Sequence, residues 1–285
     1  MLTLSNLRIW DGVSDSYDSA DTLQIGGSRI TRVGAAAGLP PGRDMSGLTA
    51  IPGLMDSHVH LCLDPGVMAP EDQQTDPDKV LPLMRERAIA MVKAGITTAR
   101  DLGGGHWTEL ALRDEINAGS TIGPRLLCAG QPITSVGGHC HFWGGEAADI
   151  AAVDAVLDAQ VEKGADLIKV MATGGSITKN SVPANTQFDA DTLARIVARS
   201  RAAGKTVAAH CHGTGGISNA ARAGVTTIEH CSWVGPDGWG KNYDPDAVAM
   251  MVEQGTWVSP TIHLGWRRFR GNAPLESLRQ QNLAA

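Results

Sequence analysis

Basic blocks are missing from this chain. Its 285 residues hold 24 Lys and Arg against 30 Asp and Glu, a net charge of −6. A mildly acidic chain of this kind argues against nucleic acid as its main partner. No apolar run is long enough to span a bilayer, so no membrane partner is expected. The N-terminus, Met1-Leu2-Thr3-Leu4-Ser5-Asn6-Leu7-Arg8, lacks the basic region and apolar run of a signal peptide. Cysteine is scarce: Cys62, Cys128, Cys140, Cys211 and Cys231 make an odd number with no C-x-x-C spacing. That excludes a cysteine-built zinc site and points to reduced thiols in a cytoplasmic protein. No G-x-G-x-x-G sits between a strand and a helix near the start, which counts against an open doubly wound sheet.

What is there is a repeated phrase. Residues 1–52 read as a small all-β unit, with a hairpin from Thr22–Ile25 through Gly26-Gly27-Ser28 to Arg29–Gly34. From residue 53 to 285 the pattern is amphipathic helix, glycine, short apolar strand. Helices are predicted over 79–94, 107–118, 150–163, 189–203, 216–223 and 245–254, each followed by a glycine suited to a left-handed helix end. Alternating β and α with buried strands predicts a parallel sheet. Counting the strand over residues 53–60, seven such strands suggest a (β/α)8 barrel, an α/β fold whose active sites lie at the C-terminal ends of its strands.

Polar residues suited to ligation fall at or near those ends. His58 and His60 close the first strand two residues apart, so both imidazoles face one way. Lys169 stands in an apolar strand between Ile168 and Val170, which is costly for an ammonium unless it is paired or chemically changed. His210 and His230 end two later strands, with His212 on the face of His210. A lone histidine on such a strand is ordinarily a hydrogen-bonded core residue; the set of four histidines and a lysine is harder to explain that way. Neutral imidazoles are favoured ligands of divalent metals.

In this order the set resembles the amidohydrolase superfamily, and Pro52-Gly53-Leu54-Met55-Asp56-Ser57-His58-Val59-His60-Leu61 is similar to its first-strand motif. Three further stretches resemble the imidazolonepropionase-related and Xaa-Pro dipeptidase (prolidase) branch: 137–142, 168–175 and 208–213. The resemblance implies a barrel beside a small β-sandwich, half of which the N-terminal unit supplies. It implies two divalent metal ions, zinc first, with manganese, cobalt or iron as alternatives. His58 and His60 would hold one ion and His210 and His230 the other, with His212 as a fallback. Lys169, carbamylated by carbon dioxide, would bridge them. A metal-bound hydroxide would attack the amide bond of an Xaa-Pro dipeptide or an N-acyl amino acid. His139, His141 and Trp233 are candidate substrate contacts, although a histidine packed on Phe142 or Trp143, or a core tryptophan, fits the sequence equally well. The resemblance also implies a homo-oligomer. A deaminase of the superfamily would place a glutamate where Gly213 stands and would leave Lys169 without a role.

One residue of the family's pattern is expected to be absent: an aspartate closing an eighth strand, which would serve as general base. After His230 the aspartates are Asp237, Asp244 and Asp246, all in or beside one loop and its helix. The chain is therefore expected to be an incomplete barrel. Two other readings stay open, a catalytically incompetent scaffold and a cyclic amide hydrolase of the imidazolonepropionase type.

Overall fold

The computed structural model describes residues 1–35, 42–67 and 73–261. The turn expected at Pro40 and Pro41, the middle of the loop expected over 64–78, and the polar helix expected over 274–283 lie outside the described residues. Two compact units divide the chain at Leu54 and Met55.

In the first unit, β1 (Leu2–Ser5), β2 (Arg8–Ile9), β3 (Thr22–Gly26), β4 (Arg29–Gly34), β5 (Arg43–Asp44) and β6 (Thr49–Ala50) form two sheets. One has the order β4-β3-β1-β5 and the other pairs β2 with β6. The expected hairpin is present: Gly26 pairs with Arg29, and Gly27 takes φ +61° in the two-residue connection. Leu7, Ile9 and Leu23 fill its small core.

The second unit begins with β7 (Leu54–Val59), α1 (Pro77–Lys93), β8 (Ile96–Asp101), α2 (Thr108–Asn117) and β9 (Arg125–Cys128). Two short strands follow, β10 (Thr134–Ser135) and β11 (Glu146–Ala147), and then α3 (Ile150–Glu162) and β12 (Ile168–Met171). The run ends with α4 (Ala190–Ala202), β13 (Val207–Gly213), α5 (Thr214–Ala223), β14 (Thr227–Val234), α6 (Pro245–Gln254) and β15 (Trp257–Ser259). Helix starts are set by aspartates. The side chains of Asp76, Asp149, Asp189 and Asp244 each accept from a backbone N–H of the first turn, and a proline follows Asp76 and Asp244.

Strands β12, β13, β14 and β15 form one parallel sheet in sequence order. A second sheet has the order β7-β8-β9. Backbone bonds run between the two: Asp166 N–H donates to Cys128 O (2.7 Å), Ile133 N–H to Lys169 O (2.9 Å) and Met171 N–H to Ile133 O (2.8 Å). Among the described residues these strands do not close into a barrel sheet. The expected α/β class is present, while the N-terminal sheets are not resolved into a sandwich.

Strand register sorts the side chains. Lys169 is paired with Ala208, Ala208 with Thr227, and His210 with Glu229, so these residues share one face. The alternate residues Ile168, Val170, Ala209, Cys211 and Ile228 pack with Leu157 of α3, Leu193 and Ile196 of α4, and Ile217 of α5 in one buried apolar cluster. The helices thus cover one face and leave the other to the polar side chains.

Candidate metal centre

Strand alternation brings His58 and His60 together: their Nε2 atoms are 3.3 Å apart. Each outer nitrogen is engaged. His58 Nδ1 lies 2.8 Å from a carboxylate oxygen of Glu229, and His60 Nδ1 lies 2.7 Å from the carbonyl oxygen of Gly103. Both acceptors require the ring proton on Nδ1, so two Nε2 lone pairs face each other. A cation between them resolves that opposition.

The second group comes from β13 and β14. His210, His212 and His230 each offer a ring nitrogen within 4.8 Å of the others. Their remaining nitrogens are also held: His210 Nε2 by Gly174 O (2.9 Å), His212 Nδ1 by Ser232 Oγ (2.9 Å) and His230 Nδ1 by Thr261 Oγ1 (2.8 Å). The groups meet where the rings of His58 and His230 lie 4.9 Å apart. His212, expected only as a fallback ligand, is as much a part of this trio as His210, stacked on His230 at 4.5 Å.

His230 reaches the centre by a backbone irregularity. In register it pairs with Cys211, on the helix-covered face. The register shifts between Cys211 and Gly213, and His230, Cys231 and Trp233 all take positive φ (68°, 48° and 50°). Such conformations cost roughly 1–3 kcal/mol each and persist where the surroundings enforce them. Here they re-aim a side chain in the middle of β14.

Lys169 is wholly buried, and its Nζ has no hydrogen-bond partner. Burial pulls its ammonium down to about 8, opposed by the charge of Glu229. The imidazoles are depressed for the same first cause. Burial, then the charge of Lys169, takes His60 and His212 to about 4 and His58 well below its ordinary value. Burial, then neighbouring histidines, lowers His210 in the same direction, and burial followed by His58 lowers His230. Five neutral imidazoles are a donor set that fits divalent cations, and Lys169 can join it only once its ammonium has lost a proton. His58, His60, His210, His212, His230 and Lys169 are the residues that could hold them.

Of the other expected residues, His139 is buried with its ring 4.4 Å from that of His210, and its Nδ1 meets Thr178 Oγ1 at 2.9 Å. His141 packs edge-on against Phe142 at 5.9 Å. Trp233 turns away into the helix-covered cluster and meets Tyr243 at 5.1 Å. The tryptophans beside the histidines are Trp143, 5.0 Å from His60, and Trp239, 5.0 Å from His212. The sequence names Trp143 only as a packing partner for a histidine, and Trp239 lies in a loop without periodicity. Glu229, wholly buried against His58, is the other omission. Like Lys169, it is a charged residue in an apolar strand.

Beneath His60 lies a buried carboxyl pair. Asp101 accepts from Leu61 N and Gly103 N, both at 3.0 Å, and so fixes the loop whose carbonyl holds His60. Glu109 is buried with neither oxygen bonded. Burial raises Asp101 to about 7; burial and then Asp101's charge raise Glu109 to about 8. Cys62 and Cys128 also face this pair, and Arg113 is the cation near it. A raised carboxyl binds a proton in the folded chain that the unfolded chain has released. The folded state is therefore favoured below Glu109's ordinary 4.5 and loses stability as pH climbs toward about 8. Glu109→Gln is expected to raise stability at pH 9 by about 1–3 kcal/mol and to change it little at pH 5. Thermal unfolding of both proteins at the two pH values checks this; an equal gain at both would contradict it.

The amidohydrolase family matches residues 49–280, and the chain belongs to that family. An ochratoxinase of Aspergillus niger is 29% identical over 216 residues, a stretch covering 66% of this chain and 44% of the ochratoxinase, so the chain matches less than half the length of that curated relative. A Xaa-Pro dipeptidase solved with methionine in its active site superposes with a TM-score of 0.77 at 28% identity, over 99% of this chain and 73% of that one. A prolidase complexed with N-methylphosphonate-L-proline gives 0.81 at 26%, with the same coverage. No helix among the described residues is long and apolar enough to cross a membrane.

Proposed function

We propose that this chain carries the metal-binding part of an amidohydrolase that cleaves the amide bond of an Xaa-Pro dipeptide or an N-acyl amino acid. The observation that supports it most is the convergence of five histidines, each with one ring nitrogen held by the protein: His58 and His60 face each other through Nε2, and His210, His212 and His230 each offer a ring nitrogen within 4.8 Å of the others. In this reading β7, β8, β9, β12, β13, β14 and β15 are seven of the eight staves of a (β/α)8 barrel. The backbone bonds linking β9 to β12 through Ile133 and Asp166 support it.

His58 and His60 would hold one divalent ion, zinc for preference, and His210 and His230 a second, with His212 beside them. Lys169 would lie between the two. Its unpartnered Nζ is the atom that adds to carbon dioxide, forming an N–C bond and releasing a proton to give an anionic carbamate. Bound ions supply positive charge that acidifies a water and polarises a carbonyl. The chain's own residues do the rest. The buried, neutral imidazoles leave their lone pairs free. Trp143 and Trp239 form apolar walls beside His60 and His212, and His139, steadied by Thr178, stands next to His210. Hydrolysis adds water across the C–N bond, giving a carboxylic acid and an amine.

The proton transfer to that amine needs a carboxylate at the centre. Among the described residues the only acid seen there is Glu229, and both its oxygens are taken. Asp237 and Asp246 are exposed, and Asp244 caps α6. This favours a second reading, a metal-binding scaffold without turnover. Hydrolysis of a panel of Xaa-Pro dipeptides and N-acyl amino acids by the metal-loaded chain separates the two: turnover supports the first, and loaded protein without turnover supports the second.

A further inference from the structure

Glu229 and Arg100 occupy a place that none of the catalytic roles above uses. Glu229 Oε2 accepts from His58 Nδ1–H at 2.8 Å, while Oε1 accepts from Arg100 Nη2 at 2.6 Å and from Thr227 Oγ1 at 2.6 Å. The carboxylate is wholly buried, and the Arg100 side chain is partly buried, at 17% exposure. Arg100 Nε also donates to the carbonyl oxygen of Ser57 at 2.7 Å, one residue before His58. One guanidinium therefore grips both the backbone leading into His58 and the carboxylate on its ring.

We propose that the Arg100–Glu229 pair is a positioning device that fixes the tautomer and orientation of His58 and so sets the metal affinity of the His58–His60 side of the centre. The inference rests on reading the histidine centre as a metal site. Its basis is an asymmetry among the five rings. Gly103 O, Gly174 O, Ser232 Oγ and Thr261 Oγ1 are neutral partners; His58 has a carboxylate. A carboxylate accepting the outer N–H makes the imidazole a better donor and holds its lone pair in place. An exposed carboxylate would swing and hydrate. This one is tied at its other oxygen by two donors from β8 and β14, and so keeps one position.

Glutamine is nearly the same shape and cannot do the same work. Turned with its oxygen toward His58, it presents an amide N–H2 to the guanidinium of Arg100. Turned the other way, it presents that donor to His58 Nδ1–H. One of the two bonds is lost in either case.

The test is cobalt(II) titration of the metal-depleted chain against a competing chelator, read by apparent affinity and by visible absorption. In Glu229→Gln, one of the two cobalt affinities is expected to fall about 10–100-fold, with an altered absorption band, while the other is unchanged. The double variant Arg100→Met/Glu229→Gln removes the stranded guanidinium along with the carboxylate. It should regain thermal stability relative to Glu229→Gln and keep the weakened cobalt site. Parental affinity and spectrum in Glu229→Gln would overturn the inference. So would parental affinity in the double variant, because Glu229 would then serve only to neutralise Arg100. A parent chain that binds no cobalt would instead overturn the metal-site reading itself.

Discussion

Lys169→Met is expected to lose function and gain stability together. The variant should contain less metal than the parent after identical loading and should hydrolyse amides at least about 100-fold more slowly. Its metal-free form should be more stable than the metal-free parent by about 1–3 kcal/mol. The reason lies in the strand. Ile168, Val170 and Met171 are buried neighbours, and between them Lys169 puts a wholly buried polar atom that has no protein hydrogen-bond partner. Leaving such a donor unsatisfied has a cost, and methionine fills nearly the same volume without it. A chain selected for stability alone would have an apolar residue there. Metal content equal to the parent's would show that Nζ is not part of the centre, and a less stable variant would show that the amine has a partner after all. Elemental analysis and thermal unfolding decide between these.

The second large effect is expected at Gly103, which lies outside any ligand set. Its φ is +111°, and a Cβ built on it would run into the carbonyl oxygen of Gly130 and the ring of Pro132. Neither neighbour is the flexible end of a side chain. Its N–H donates to Asp101 and its carbonyl accepts from His60. Gly103→Ala should therefore cost about 2–4 kcal/mol, from backbone strain together with displacement of the loop. It should also weaken the metal held by His60. Gly119→Ala is the control. Gly119 also has positive φ (+74°), but a Cβ there meets open space at the end of α2, so only the modest strain remains and metal binding is untouched. If Gly103→Ala costs no more than Gly119→Ala and loads with metal normally, the Asp101–Gly103–His60 support is not what orients that ring.

Much of this architecture can be read from the residues. Glycine after each amphipathic run marks the helix ends, and α1 to α6 begin and end within about two residues of their expected bounds. Two histidines spaced by one residue and one lysine in an apolar strand suffice to point at the centre. What stays hidden has physical causes. His230 reaches the centre through positive φ at His230, Cys231 and Trp233, and left-handed residues in a strand leave no periodic signal. The same irregularity turns Trp233 into the core, and the tryptophans that lie beside the histidines are Trp239 and Trp143. Glu229 carries the signal that betrays Lys169, but its position next to a histidine disguises it as a ligand's neighbour. Which nitrogen each histidine turns inward depends on partners such as Gly103 O and Gly174 O, carbonyls that every residue has and no sequence distinguishes.

The most direct test of the metal-centre account is the metal content of the purified 285-residue chain, reconstituted with zinc in the presence of bicarbonate and measured by elemental analysis. The account predicts about two ions per chain, as in carboxylate-bridged two-metal hydrolytic sites. A chain that folds and retains no tightly held ion would contradict it, because the opposed lone pairs of His58 and His60 and the orphaned amine of Lys169 would then need another explanation.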